Sequence, residues 1–261
     1  MALGAMIDRT KRFLGTGISF AVFGIGGLVQ TVVLIPLIAV LSRNEESRTR
    51  RVRSLISRSF RAFLWMMRAL GVLELDIDPQ AREKFSRPGG MIVVANHPTL
   101  IDVVLLMGQI EHGNCIVKRA MWKNVFLGGV VRAANYISND DSEELLANCT
   151  EVLQNGETLV IFPEATRTVP GQAMKVHRGA ARVALSAGVP LQVVHLTCSP
   201  PTLSKAGHWY EIPPQRPCFR MRVGDRLHVA NYLAAGEHHS LASRRLTEEM
   251  RHNLMNVESQ R

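Results

Sequence analysis

Residues 91–102 read MIVVANHPTLID and decide how the rest of the chain is interpreted. Met91 to Ala95 is a short apolar run with two adjacent valines, which is typical of a strand buried on both faces of a sheet. His97 and Asp102 follow, and Pro98 favours the start of a helix there, because the first helical position does not need the N–H that proline lacks. The stretch predicts a buried strand with a histidine and a carboxylate at its carboxyl end.

The five-residue spacing of His97 and Asp102 determines whether they can act together. On one continuous helix the two side chains would point about 140° apart and would not meet. With His97 on a turn and Asp102 in the first helical turn, the carboxylate can reach back to the imidazole. A carboxylate on one ring nitrogen lets the other nitrogen take a proton from a hydroxyl. The alternative is a capping histidine followed by a first-turn aspartate, with no catalytic role.

A second polar stretch follows another apolar run. Residues 158–162 read TLVIF, and residues 163–168 continue as PEATRT. Open α/β sheets bind ligands at the carboxyl ends of their strands, and the planar guanidinium of Arg167 suits a phosphate. Glu164 is expected to accept a hydrogen bond from a substrate hydroxyl or to hold Arg167 in place. The alternative is an ordinary surface ion pair.

Short apolar runs alternate with helical stretches from about residue 90 onward. This alternation predicts an α/β fold with a mostly parallel central sheet flanked by helices. Residues 218–229 are expected to form a strand pair or a bent strand. The predicted strands are 91–95, 114–117, 135–138, 158–162 and 191–197, and the predicted helices are 99–109, 121–133, 142–154, 176–187 and 240–257.

The N-terminal part has the composition of a membrane anchor. Residues 13–42 contain no charged residue, and as a helix they would extend about 45 Å, beyond the roughly 30 Å hydrocarbon core of a bilayer. Lys11 and Arg12 precede the run as in a signal peptide, but the run is too long and lacks a cleavage site. Gly24, Gly26, Gly27 and Pro36 interrupt it, which leaves a single tilted span and a re-entrant pair of helices open.

Residues 43–68 combine eight arginines with two glutamates and apolar residues at every third or fourth position. This pattern predicts a basic amphipathic helix whose apolar face lies in the membrane interface. The alternative is a packed helix with a solvated charged face. The arginines after the apolar run predict that this side faces the cytoplasm. We therefore divide the chain into an anchoring segment, residues 1–72, and an α/β domain, residues 73–261.

The net charge of +9 is concentrated in the anchor. Residues 1–68 hold 11 Lys and Arg against 3 Asp and Glu, whereas the remainder holds 20 against 19. A nearly neutral domain with few aromatic residues argues against nucleic-acid binding. Four scattered cysteines form no C-x-x-C pair, and the chain has no P-loop or dinucleotide motif, so no metal or cofactor is expected.

Taken together, NHPTLID at 96–102 and FPEATRT at 162–168 resemble the glycerolipid acyltransferase family. Its 1-acylglycerol-3-phosphate acyltransferases carry N-H-x-S-x-x-D and F-P-E-G-T-R-S blocks, and the similarity extends from about residue 88 to 200. The resemblance implies acyl transfer from acyl-CoA or acyl-acyl carrier protein to the hydroxyl of a lysophospholipid. With the anchor, it implies a bacterial-type inner membrane location in contact with membrane lipids, with the catalytic domain facing the cytoplasm.

The resemblance also implies roles for individual residues. His97 corresponds to the general base of the family, and Asp102 to its orienting partner. Glu164, Thr166 and Arg167 belong to the block that is associated with binding of the phosphorylated acceptor.

Other positions bear on the choice of substrate. Thr99 stands in place of the serine of the first block, and we expect it to contact substrate. Lys118 and Arg119 are expected to meet the phosphates of CoA or an acidic carrier protein, although a solvated basic face is the alternative. Ala165 replaces a glycine, and Asn139 stands where the family has a phosphate-binding arginine. The alternatives are therefore an acyltransferase of a specialised bacterial lipid or polyene pathway, with an acceptor other than lysophosphatidate, and a non-catalytic membrane adaptor.

Overall fold

A computed structural model of the chain describes residues 2–86, 89–139, 142–168, 172–233 and 238–255. The strands are β1 (Glu74–Ile77), β2 (Met91–Ala95), β3 (Asn114–Val117), β4 (Ile137–Ser138), β5 (Thr158–Ile161), β6 (Leu191–Ser199) and β7 (Cys218–Leu227). They form one sheet in the order β1-β7-β6-β2-β5-β3-β4. All neighbours in the sheet are parallel except β6 and β7. The predicted mostly parallel α/β sheet is confirmed.

Helices cover both faces of this sheet. They are α1 (Ala2–Val29), α2 (Ile35–Leu41), α3 (Glu45–Ala69), α4 (Ala81–Phe85), α5 (Asp102–Met107), α6 (Arg119–Trp122), α7 (Gly128–Ala133), α8 (Ser142–Gln154), α9 (Gly179–Ala187) and α10 (His239–Met255). Met91, Val93 and Ala95 of β2 pack in one core with α3, α5 and α7. Ile92 and Val94 pack in the other core with α8, α9 and α10. The strand is therefore buried on both sides, as its uninterrupted apolar run predicts.

Two predicted elements differ from the structure for local reasons. The helix predicted over residues 121–133 is divided into α6 and α7, because the side-chain oxygen of Asn124 accepts the backbone N–H groups of Phe126 and Leu127. The strand predicted over residues 135–138 is shortened to β4. Asn135 has a φ of 51°, in the left-handed region, which a strand residue does not adopt.

The C-terminal elements follow the prediction more closely. Residues 218–227 form one strand, β7, which runs antiparallel to β6. The closing helix predicted over residues 240–257 is α10, and residues 256 and 257 lie outside the described residues. The four cysteines are free thiols.

The basic amphipathic helix is α3, but its apolar face is covered by protein. Val52 and Ile56 are fully buried in the core beneath the sheet. Arg53 also points inward, and its guanidinium donates to the Glu157 carboxylate at 2.6 Å and to the Ala134 carbonyl at 2.9 Å. The expectation that this face lies in the membrane interface is therefore wrong, because the face packs against α5 and the sheet. The exposed arginines of this segment are Arg43, Arg50, Arg51, Arg58 and Arg68.

The N-terminal helix lies along the domain. Near its start, the buried Arg12 donates to three consecutive carbonyl oxygens, those of Pro213, Pro214 and Gln215, at 2.7, 2.9 and 3.0 Å. Near the end of α1, Gly27 lies against the backbone of Phe126. The helix continues through a π-helical turn, Gln30–Leu34, into α2, so the chain is helical from residue 2 to residue 41. A break into two re-entrant helices is not seen in this segment.

The opposite face of this helix is apolar and exposed. Residues 6–41 have the length and apolar composition of a membrane span. The exposed apolar side chains include Phe13, Ile18, Val22, Ile25, Val29, Val32 and Val33. Trp209 lies beside Phe13 and Phe20, with ring centroids 5.9 and 5.7 Å away, and continues this surface.

Gly26 and Gly27 are adjacent in α1 but have opposite surroundings. A methyl group on Gly27 would lie 2.5 Å from the Phe126 carbonyl oxygen, whereas nothing lies within 4 Å of one on Gly26. We expect Gly27→Ala to destabilise the fold by about 1–3 kcal/mol through overpacking. Gly26→Ala should stabilise it by up to about 1 kcal/mol, since alanine favours helix. Thermal unfolding in detergent micelles compares the two variants, and equal melting temperatures would contradict the docking of α1 on the domain.

Candidate active site

The predicted catalytic pair lies at the carboxyl end of β2, in the middle of the sheet. His97 sits on the turn after the strand, and Asp102 begins α5. Nδ1 of His97 and Oδ2 of Asp102 are 2.9 Å apart; the side chain of His97 is 17% exposed and that of Asp102 is 1% exposed. With the carboxylate on Nδ1, Nε2 is the ring nitrogen that can accept a proton from an incoming hydroxyl. The structure thus brings the two side chains together.

Thr99 holds the carboxylate of Asp102 and determines where the helix begins. Its backbone N–H and its hydroxyl donate to the two carboxylate oxygens at 2.6 and 2.5 Å. These bonds hold residues 99–102 in a turn. The first helical hydrogen bond after it joins the Leu105 N–H to the Ile101 carbonyl. The helix therefore begins at Asp102, whereas the sequence predicted that it begins at Pro98. Thr99 is buried and orients the carboxylate, whereas a substrate contact was expected.

Glu164 contacts the backbone of His97 from the end of the neighbouring strand β5. The ladder between β2 and β5 ends at Val94 and Ile161. Three residues further on, Oε1 of Glu164 accepts the backbone N–H of His97 at 2.8 Å. Burial raises the pKa of the Glu164 carboxyl, because the charged form loses its hydration. The sequence predicted that Glu164 contacts Arg167 or an acceptor hydroxyl. In the structure, Oε1 of Glu164 binds the backbone N–H of His97.

Arg167 points towards the loop that joins β6 to β7. Its Nη1 donates to the carbonyl oxygens of Leu203 and Ser204, at 3.2 and 3.3 Å. Thr166 beside it is exposed. Ala165 has a φ of 57°, in the left-handed region that glycine enters without steric cost. The alanine at the glycine position of the family motif thus adopts a conformation that favours glycine.

The two predicted basic residues lie at the end of a neighbouring strand. Lys118 and Arg119 follow β3 and are exposed. The backbone N–H of Arg119 donates to Oδ1 of Asn139 at 3.2 Å, and the Asn139 N–H donates to the Val117 carbonyl at 3.1 Å. Asn139 therefore joins the ends of β3 and β4. Because β2 and β3 run in the same direction, Lys118 and Arg119 lie at the same sheet edge as His97 and Asp102.

Three further residues support His97, and the sequence alone did not assign them. The side-chain amide of Asn96 makes two hydrogen bonds of 2.7 Å with the backbone of Leu196, which extends the pairing of β2 with β6. The Phe162 ring lies against the imidazole, with centroids 4.4 Å apart. The Thr168 N–H donates to the His97 carbonyl at 3.1 Å. An amide side chain directly after a buried strand was the available signal for the role of Asn96.

Known proteins share parts of this sequence. A family model described as Acyltransferase matches residues 76–197, which include both motif blocks. The 1-acyl-sn-glycerol-3-phosphate acyltransferases of Cocos nucifera and Pseudomonas aeruginosa are 29% and 30% identical over 114 and 111 residues. These alignments cover 41% and 40% of this chain, and 37% and 43% of the two relatives. The chain thus spans less than half the length of each of these relatives.

A solved structure shares the fold. The crystal structure of the 1-acyl-sn-glycerophosphate (LPA) acyltransferase PlsC from Thermotoga maritima is 17% identical to this chain and aligns with a TM-score of 0.67. The alignment covers 96% of this chain and 99% of that one. The matching family model and the named relatives, together with the shared fold, confirm the predicted resemblance of this chain to the glycerolipid acyltransferases.

Proposed function

We propose that this protein transfers an acyl group from an acyl thioester to the free hydroxyl of a lysophospholipid, with His97 as general base and Asp102 as its orienting partner. The observation that carries the proposal is the 2.9 Å contact between Nδ1 of His97 and the buried Asp102 carboxylate. The pair lies at the sheet edge where open α/β folds bind ligands. A non-catalytic adaptor would not need a histidine held in this way.

The chemical steps follow from this geometry. Nε2 of His97 removes the proton of the acceptor hydroxyl while the hydroxyl oxygen bonds to the thioester carbonyl carbon. Asp102 stabilises the imidazolium that forms. The tetrahedral intermediate then breaks its carbon–sulfur bond, and the thiolate takes the proton from the imidazolium. An ester and a free thiol result, and His97 returns to its starting state.

Basic groups at this edge suit the phosphates of both substrates. Arg167 now donates to two loop carbonyls, and a phosphate is a stronger acceptor because charge-assisted hydrogen bonds are roughly twice as strong as neutral ones. We propose that the phosphate of the acceptor replaces those carbonyls. Lys118 and Arg119 can meet the phosphates of CoA or an acidic acyl carrier protein, which act as donor co-substrates.

We also propose that the anchor helix lies flat in one leaflet of the inner membrane, with the catalytic domain in the cytoplasm. The buried guanidinium of Arg12 fixes one end of α1 to the domain, and the close approach of Gly27 to Phe126 fixes the other. A helix held along the domain in this way cannot stand upright in the bilayer. Its outward apolar face, with Trp209 at its edge, provides the surface for lipid.

The first test concerns the catalytic pair. We expect His97→Ala to lower kcat by about 10²–10⁴-fold, because general-base catalysis contributes on that order. Asp102→Asn should cause a loss of similar order, since the wrong tautomer is then favoured. His252→Ala, in the exposed part of α10, is the control and should keep wild-type activity. Mass spectrometry of the acylated lipid gives the rates, and full transfer by His97→Ala would exclude the mechanism.

The second test concerns the acceptor. Lysophosphatidate should be acylated faster than a monoacylglycerol, and Arg167→Ala should raise the KM for lysophosphatidate by roughly 10–100-fold, the effect of losing a hydrogen bond to a charged group. Arg182→Ala, on the exposed side of α9, is the matched control. A clear preference for an acceptor without phosphate would instead support the alternative drawn from Asn139, a specialised acceptor other than lysophosphatidate.

The third test concerns the anchor. Arg9 and Arg43 lie on either side of the uncharged run, near the two ends of the helical segment, and both are exposed. If the segment lies flat with these charged ends in water, a membrane-impermeant maleimide should label both Arg9→Cys and Arg43→Cys in inside-out vesicles, and neither in right-side-out spheroplasts. Unsubstituted protein measures labelling of the native cysteines. Labelling of the two positions from opposite sides would establish a span and exclude the flat arrangement.

A further inference from the structure

Glu164 is a buried acid that the proposed acyl transfer does not use directly. It is 4% exposed, and Oε1 accepts the His97 backbone N–H at 2.8 Å. Its second oxygen, Oε2, is also buried and has no hydrogen-bond partner within the described ranges of the chain. A group enclosed in this way is poorly placed to meet the hydroxyl or phosphate of an incoming lipid.

The bond to His97 continues the sheet beyond its last ladder position. Parallel pairing of β2 with β5 stops at Val94 and Ile161, so His97 lies past the end of the ladder. From the β5 side, Glu164 accepts the His97 N–H, and Thr168 donates its own N–H to the His97 carbonyl. Both backbone polar groups of the catalytic histidine are thus held by the loop that follows β5.

The chemistry of the carboxyl agrees with an acceptor role that needs no negative charge. Burial raises the pKa of Glu164, although the His97 N–H and the nearby imidazole oppose this shift. A neutral carboxylic acid still accepts a hydrogen bond through its carbonyl oxygen. Glutamine has the same shape and the same acceptor, so it provides a close mimic of this state.

We propose that Glu164 is a positioning residue that fixes the backbone of His97, and not a ligand of the acyl acceptor. The kinetic consequence rests on the proposed acyl transfer. If the turn at His97 loosens, the imidazole moves relative to Asp102 and to the reacting hydroxyl. A displacement of about 1 Å in an active site can cost on the order of 10²-fold in rate.

The kinetic experiment compares two substitutions at this position in the full chain. Glu164→Gln should keep kcat and the acceptor KM within about threefold of wild type, since it retains the oxygen that binds the His97 N–H. Glu164→Ala should lower kcat by roughly 100-fold and leave the acceptor KM nearly unchanged. Glu151→Gln, at an exposed position near the end of α8, is the isosteric control and should leave both constants unchanged.

A spectroscopic measurement tests the same claim without any substrate. In ¹⁵N-histidine-labelled protein, the Nδ1–H proton shared with Asp102 should give a resonance that His97→Ala removes. We expect this resonance to persist in Glu164→Gln and Glu151→Gln, and to be lost through exchange with water in Glu164→Ala. If Glu164→Ala does not fold, the Glu164→Gln variant alone still decides the question.

The outcomes separate this inference from the proposed function. A Glu164→Gln variant that keeps the resonance but raises the acceptor KM tenfold or more would identify Glu164 as an acceptor ligand and overturn the inference. Loss of the resonance in Glu164→Gln, or its persistence in folded Glu164→Ala, would also overturn it. If the wild-type protein transfers no acyl group, the proposed function fails, and the resonances still test how His97 is positioned.

Discussion

Hydrogen bonding on both sides of β2 positions His97 and Asp102 at the end of that strand. The strand lies between β5 and β6 and is buried on both faces, so its position relative to its neighbours is fixed by two ladders and two cores. Beyond the ladders, side chains continue the pairing, with Asn96 bonded to the backbone of Leu196 and Glu164 bonded to that of His97. Parallel strands end at a common edge, and this brings Arg167 and Lys118 to the same side of the sheet.

The sequence predicts the fold best where the pattern is repeated over several residues. The apolar run of β2 and the alternation of strands with helices were sufficient for the sheet and its class. Local departures depend on single groups that periodicity does not report. The side chain of Asn124 ends one helix and starts the next, and the left-handed backbone of Asn135 shortens β4. The packed face of α3 had the same amphipathic pattern as a helix at a membrane surface, so sequence alone did not distinguish the two.

In the candidate site, the sequence predicted partners close in the chain better than partners across the sheet. The His97 and Asp102 side chains, five positions apart in the chain, are in contact. Their spacing, together with the helix start expected at Pro98, was enough to predict this contact. Glu164 bonds to a residue 67 positions away, and its partner depends on how β5 ends beside β2. The role of Thr99 was predicted less well. Its place at the serine position of the motif suggested substrate binding, but its N–H and hydroxyl bind the Asp102 carboxylate. Motif membership identifies these residues, but only the packed geometry separates support from contact with substrate.

The contact of Arg12 with the loop at residues 213–215 has a consequence for the synthesis of the protein. The guanidinium and its carbonyl partners are separated by 201–203 residues. At about 5–20 residues per second, ribosomes need roughly 10–40 s to make the intervening chain. During that interval the helix is already outside the ribosome, and Arg12 has Asp8, one turn earlier in the same helix, but not yet its three carbonyl partners. The Arg12 guanidinium must therefore stay in contact with water until nearly the whole polypeptide has been synthesised and residues 213–215 are available to bind it.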